Sequence, residues 1–260
     1  MMKIYRPLKS KWLTQKFGVS EACAKQDMYG NLQMPTVITS KKGGFCLNGY
    51  ADFYRLIGMK GHNGWDHACY IGEPIYFNVD APCKWWSRNE VDRDGGIGLD
   101  IFSDRALDIG ELPEECGKLA RQAITGTGGE FAVEGKVWIK FRFWHLSKSL
   151  TPDSKNNVPD KPLGYRDTNV SLGDLIALGG NTGASSGPHL HWSMKIVSNS
   201  SGTLDYNNGY AGAVDFEKYY EDEFIGDVIK VKKRALSAIS LTRKVILEVQ
   251  KFINLSIRKK

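Results

Sequence analysis

Lys136-Val137-Trp138-Ile139-Lys140-Phe141-Arg142-Phe143-Trp144 alternates large apolar and charged residues along most of its length. A period of two is the pattern of a strand with one face in a core and the other outside it. Reading outward, Gly98-Leu99-Asp100-Ile101-Phe102 and Cys83-Lys84-Trp85-Trp86 predict further strands, as do Tyr76-Phe77-Asn78-Val79 and Thr36-Val37-Ile38-Thr39. Lys42-Gly43-Gly44 supplies a turn after the last of these. The expected class is mainly β. Between Asp104 and Glu134 the pattern changes: Glu111 to Ile124 predicts a short helix and Thr125 to Gly129 a flexible turn, an insertion between two sheet strands. A second long loop, Ser149 to Ser171, carries Pro152, Pro159 and Pro162. Loops of that length are usually functional lids or surface segments.

The chain has 260 residues, 42% of them hydrophobic, enough for one sizeable core. No apolar run approaches the ~18 residues of a spanning helix. The opening Met1-Met2-Lys3-Ile4-Tyr5-Arg6 has positive charge but no apolar run after it, so a secretory signal is not expected. Any action outside a cell is then expected to need release by lysis or assembly into a larger particle. The net charge is +6, but Asp227 to Lys260 holds ten Lys or Arg and two acidic residues, a local balance of +8 that leaves −2 elsewhere. Nucleic-acid binding by the globular part is not indicated. Residues 226–260 form an expected basic amphipathic helix, with Val231, Ala235, Ile239, Ile246, Val249 and Ile253 near one face. Such a helix packs on its own domain, lies on an anionic membrane or docks a protein partner. Packing on the domain is the preferred expectation, because the stripe is broken near Thr242 and Arg243. Cys23, Cys46, Cys69, Cys83 and Cys116 are odd in number and lack Cys-x-x-Cys spacing, which predicts free thiols.

The five histidines are His62, His67, His145, His189 and His191. In Gly187-Pro188-His189-Leu190-His191-Trp192, side chains two apart on a strand share a face. His189 and His191 therefore project together, with Leu190 and Trp192 toward a core. In Gly61-His62-Asn63-Gly64-Trp65-Asp66, a loop feeding a strand brings an imidazole and a carboxylate to one point. Both are ordinary zinc ligands. In Phe143-Trp144-His145-Leu146-Ser147, His145 ends a strand. Each segment has an ordinary alternative: a solvated His and Asp beside a turn, two satisfied strand-end histidines, and a half-exposed sheet histidine. Together they supply three imidazoles and a carboxylate, plus one histidine to spare. Catalytic zinc needs three protein ligands and an open position, and a further imidazole titrates in the range useful for proton transfer.

These residues resemble peptidase family M23, the LytM/lysostaphin-type zinc endopeptidases. The resemblance lies in H-N-G-W-D (His62 to Asp66), F-W-H-L-S (Phe143 to Ser147) and G-N-T-G-A-S-S-G-P-H-L-H-W (Gly180 to Trp192). Weaker matches are L-T-Q-K-F-G, I-G-E-P-I-Y-F and G-D-L-I-A-L-G-G, and the whole spans residues 12–195. The resemblance implies an antiparallel β-sheet or β-sandwich of LytM type (a duplicated hybrid motif) in residues 1–225, with long loop insertions and the site in a groove between loops. It implies Zn2+ held by His62, Asp66 and His191, with His145 and His189 flanking the attacking water as bases or oxyanion stabilisers. It implies hydrolysis of peptide bonds of bacterial peptidoglycan, in the stem or the cross-bridge. Phe143 stands where Tyr is frequent and Trp144 where a small residue is common, departures that bear on substrate choice. His67 matches no motif position and is expected to face away from the metal. The rival expectation is a non-catalytic wall-binding or scaffold protein on the same fold. Wall activity without a signal segment points to a phage endolysin or virion component.

Overall fold

The computed structural model of the chain describes residues 2–19, 23–28, 32–33, 40–41, 45–46, 51–81, 85–92, 94–103, 105–127, 133–150, 170–198, 202–235, 237, 239–240 and 242–243. The strand expected at Thr36–Thr39, the turn at Lys42–Gly44, Cys83, positions 128–129 and most of the second long loop (151–169) lie outside these residues.

The architecture is mainly β. A seven-stranded sheet runs in the order Trp85–Asp92, Gly96–Ser103, Trp138–Leu146, His189–Val197, Trp65–Ala68, Leu13–Gln15, with Ala213–Val214 also paired to His189–Val197. All its pairs are antiparallel. A three-stranded sheet joins Val79–Asp80, Lys3–Arg6 and Tyr220–Phe224, the last pair parallel. Another joins Lys148–Ser149, Leu175–Leu178 and Pro74–Tyr76. Smaller ribbons complete the described strands.

The alternation read at 136–144 sets the two faces of the large sheet. Ile139, Phe141 and Phe143 enter the core with Leu190, Trp192, Met194 and Ile196 of the neighbouring strand. Trp192 packs on Phe216 (ring centroids 4.4 Å) and lies stacked with Phe143 at 6.4 Å. Register places Trp144 opposite His191, Arg142 opposite Ser193 and Lys140 opposite Lys195 on the other face. Asp100, fully buried, anchors that polar face. It accepts two hydrogen bonds from Arg142, at 2.7 and 2.8 Å, with Lys140 Nζ at 3.5 Å.

Some expected elements are trimmed. The strand at 76–79 is interrupted, because the Phe77 backbone exchanges hydrogen bonds with Gly173 and Asp174 instead of continuing either ladder. The helix expected over 111–124 is confined to Lys118–Ile124. Its first amides are capped from far along the chain by Asp205, whose carboxylate accepts from Leu119 and Ala120 at 2.9 Å. Cys69 and Cys116 are free.

Gly180 shows how tightly the site end of the sheet is closed. A Cβ there would lie 2.2 Å from Ser147 N and 2.5 Å from Leu146 C, both backbone atoms. Neither can swing aside, so Gly180→Ala is expected to destabilise the protein by about 1–3 kcal/mol, the usual cost of overpacking. A urea denaturation midpoint unchanged from wild type would contradict this.

Candidate metal centre

Three elements converge. His62 sits in the loop before strand Trp65–Ala68, Asp66 is the second residue of that strand, and His191 is paired directly opposite Asp66 on the adjacent strand. His62 Nε2 lies 3.0 Å from His191 Nδ1 and 3.2 Å from Asp66 Oδ1, and His191 Nδ1 lies 3.0 Å from Asp66 Oδ1. These atoms form a nearly equilateral triangle. Ligand atoms ~2.0–2.2 Å from a tetrahedral ion stand roughly 3.3–3.6 Å apart, so the triangle needs only small adjustment to accept one. His62 Nδ1 points at the Lys16 carbonyl at 3.2 Å. A proton on Nδ1 leaves the Nε2 lone pair facing inward, as a metal ligand requires. Among the described residues no other trio of His, Cys, Asp or Glu converges in this way. The residues present fit a zinc ion.

The electrostatics agree with that donor set. Burial alone would raise the Asp66 carboxyl, but the His62 and His191 imidazoles hold it well below the usual carboxylate range. Burial pushes His191 down to about 4 against the pull of Asp66. The carboxylate is thus ionised and the His191 imidazole neutral near neutral pH, the forms in which both bind metals. Gly64 lets the preceding loop lie against this ring: a Cβ there would be 2.9 Å from His191 Nε2.

His145 and His189 stand beside the trio, their rings 4.6 Å apart, with His145 6.1 Å from the His191 ring and His189 Nε2 3.6 Å from Asp66 Oδ2. Strict alternation would point His145 into the core beside Phe143. Instead, Trp144 and His145 together oppose the single residue Gly98, between the pairs Leu99↔Phe143 and Ile97↔Leu146. This is a β-bulge. His145 takes φ +61°, a left-handed conformation that costs a non-glycine residue about 1–3 kcal/mol. The bulge brings His145 to the site and returns Leu146 to the core. Thr182 pins it: its hydroxyl donates to the Leu146 carbonyl at 2.7 Å and accepts from Ile97 N at 2.9 Å, while its carbonyl faces His145 Nδ1 at 2.8 Å. His189 Nδ1 likewise faces the Gly187 carbonyl at 2.7 Å, with Ser185 Oγ at 3.1 Å. Protons on both Nδ1 atoms leave both Nε2 atoms available. Burial holds His145 below the ordinary imidazole value.

Trp144 walls the site, its ring centroid 5.5 Å from that of His191, with the Arg142 guanidinium over the indole, 4.7 Å from its centroid. His67 faces the opposite side of the sheet, where its Nδ1 accepts from the Trp192 indole at 3.1 Å. Tyr54 belongs to no motif of the sequence. It lies in the short helix Phe53–Leu56, its ring 5.8 Å from His62 and its hydroxyl donating to Gln15 Oε1 at 3.1 Å. Burial first, then the Asp66 charge, raise its phenol. Lys16 acts through its backbone carbonyl and Thr182 through both carbonyl and hydroxyl, and only the short segments L-T-Q-K-F-G and G-N-T-G hint at them.

No family model matches the chain, and no curated protein matches it. Among solved structures it is similar to a zinc-containing peptidase from Vibrio cholerae, at 20% identity over 78% of this chain and 40% of that one, with a TM-score of 0.34. It is similar to the catalytic domain of the antimicrobial peptidase lysostaphin from Staphylococcus simulans, at 22% identity over 56% of this chain and 77% of that one, TM-score 0.27. LytU is a third, at 20% identity over 80% of this chain and 94% of that one, TM-score 0.32. The chain thus spans well under half the length of the Vibrio cholerae peptidase. The resemblance to M23 peptidases rests on features internal to the chain. Its three motif segments lie on or beside neighbouring strands of one antiparallel sheet and bring a His-Asp-His trio together at one end.

Proposed function

We propose that the chain is a zinc metallopeptidase that hydrolyses peptide bonds of bacterial peptidoglycan. The observation that carries this reading is the His62–Asp66–His191 triangle with two further imidazoles beside it. His62, Asp66 and His191 would hold the ion, and when bound it would supply Lewis acidity and lower the pKa of a water to about 7. The chain's own residues supply the proton handling. His145 and His189, each oriented by a backbone carbonyl at Nδ1, present Nε2 to take a proton from the attacking water and return one to the leaving amine. The Trp144 wall narrows the approach to the ligand trio on the side of His191. Peptidoglycan as the substrate follows from the motif resemblance, and the stem and the cross-bridge are both open as the bond cut.

The test is release of free amines from purified cell walls of several peptide types by the zinc-loaded protein. Wild type is expected to release amines from at least one wall type, and His189→Ala to lower the rate by about 10²–10⁴-fold, the range of a lost acid–base group. A zinc-loaded protein that binds walls yet releases no amine from any of them would instead establish the wall-binding scaffold.

A further inference from the structure

Residues 225–235 are helical, as are 237, 239, 240, 242 and 243. The first turns are tied to the domain. Ile225 is fully buried, Ile229 packs so closely on Gly173 that a Cβ there would meet it at 2.6 Å, and Lys232 Nζ reaches Asp80 Oδ2 at 2.9 Å. Beyond that the helix leaves the body. Every described residue from 230 to 243 is exposed. The described part of the apolar stripe does not pack on its own domain as expected, Val231 being 64% exposed and Ile239 51%, while Ile246, Val249 and Ile253 lie outside the described residues. Val231, Ala235 and Ile239, four apart, line one face of the helix. Lys230, Lys233 and Arg234 lie on the rest of its circumference, with Lys232 and Arg243 along the stripe's edge.

We propose that this helix lies on an anionic lipid surface, with the Val231–Ala235–Ile239 stripe at the acyl boundary and the Lys and Arg side chains on the headgroups. Charge decides among the occupants. The segment from Asp227 onward carries +8 and the rest of the chain −2, so an anionic sheet attracts the helix while leaving the body outside. A second copy would set two +8 segments against each other. A polyanion without an apolar layer would leave the stripe in water. Among the described residues no helix is long and apolar enough to cross a membrane.

The full chain is to be co-sedimented with phosphatidylglycerol vesicles and with phosphatidylcholine vesicles. Binding is expected to the first and not the second. Each Lys or Arg near an anionic surface contributes about fivefold to partitioning, so Lys233→Gln with Arg234→Gln is expected to lower it roughly twenty-five-fold. Ile239→Asp is expected to abolish binding with no shift in the unfolding midpoint, because the side chain is exposed. Four results would each overturn the proposal. One is no binding to phosphatidylglycerol, and another is equal binding to both lipids. A third is binding indifferent to Ile239→Asp, the mark of a charge-only contact. The last is a dimer in sedimentation that Ile239→Asp dissociates, the mark of a second copy.

Discussion

His191→Ala is expected to remove stoichiometric zinc from the purified protein and to abolish amine release. His189→Ala is expected to keep the zinc while losing turnover. The two changes are two residues apart on one strand and delete the same ring, so their difference isolates role from composition. His191 Nδ1 is a corner of the His62–Asp66–His191 triangle proposed to hold the ion, 3.0 Å from both other corners. Without it only His62 and Asp66 remain, short of the three ligands of a catalytic site. The loss in zinc affinity is expected to exceed the roughly 10–100-fold typical of residues that merely support a ligand. His189 lies outside the triangle, with Nε2 3.6 Å from Asp66 Oδ2. Metal analysis of both variants after dialysis against a weak chelator makes the check. Equal zinc in His191→Ala and wild type would place the ion elsewhere and sink the ligand assignment.

Asp100→Asn is expected to be the most destabilising polar substitution in the sheet. Asp100 is fully buried, and it holds Arg142 through two hydrogen bonds with Lys140 close by. Removing one partner of a buried ion pair leaves uncompensated charge and typically costs about 3–5 kcal/mol. The pH dependence has a definite sign. Burial alone would raise the Asp100 carboxyl, but the Arg142 bonds and charge, then Lys140, bring it below the ordinary carboxylate value. The folded value is therefore below the unfolded value of about 3.9. Its stabilisation is fully present above that pH and is lost as pH falls through the folded value. Urea midpoints of wild type and Asp100→Asn are expected to differ most near neutrality and to approach each other in strong acid. A constant gap across that range would show that the carboxylate's charge is not what stabilises the sheet. The consequence reaches the site, because Arg142 lies over Trp144 and Trp144 flanks His191.

Much of this arrangement was legible in the residues. The period-two pattern at 136–144 assigns faces correctly through Trp144, and the His-x-His spacing puts His189 and His191 on one side because a strand admits no other outcome. The same parity argument sends His67 away from Asp66, as the Trp192 contact shows. Parity fails at His145. The bulge depends on a partner strand with glycine at 98, and on Thr182 arriving from 36 residues further along, neither of which local alternation records. The break at Phe77 has the same origin, since its amide and carbonyl bond to Gly173 and Asp174. Tyr54 leaves no trace in the pattern because it approaches His62 from a four-residue helix with no periodic signal. The tail's residue pattern is amphipathic, but whether an apolar stripe is covered depends on where the helix points, and its direction is set by Ile225, Ile229 and the Lys232–Asp80 pair.

The extra residue in strand Trp138–Leu146 has a consequence for how the site tolerates change. A rung of a β-ladder ordinarily takes one residue from each strand, with both side chains on the same face. The rung opposite Gly98 offers an indole and an imidazole to the same side, and Gly98 has no side chain to compete for the space: a Cβ there would lie 2.7 Å from Trp144 Cδ1. The doubling fits an indole wall and an imidazole beside the His-Asp-His trio into the length of one step. Substitution at either position alters one group and leaves the doubling in place. Deletion of a single residue at 144 or 145 would flatten the step and leave room for only one of them. At this edge, chain length is as much a determinant of chemistry as residue identity.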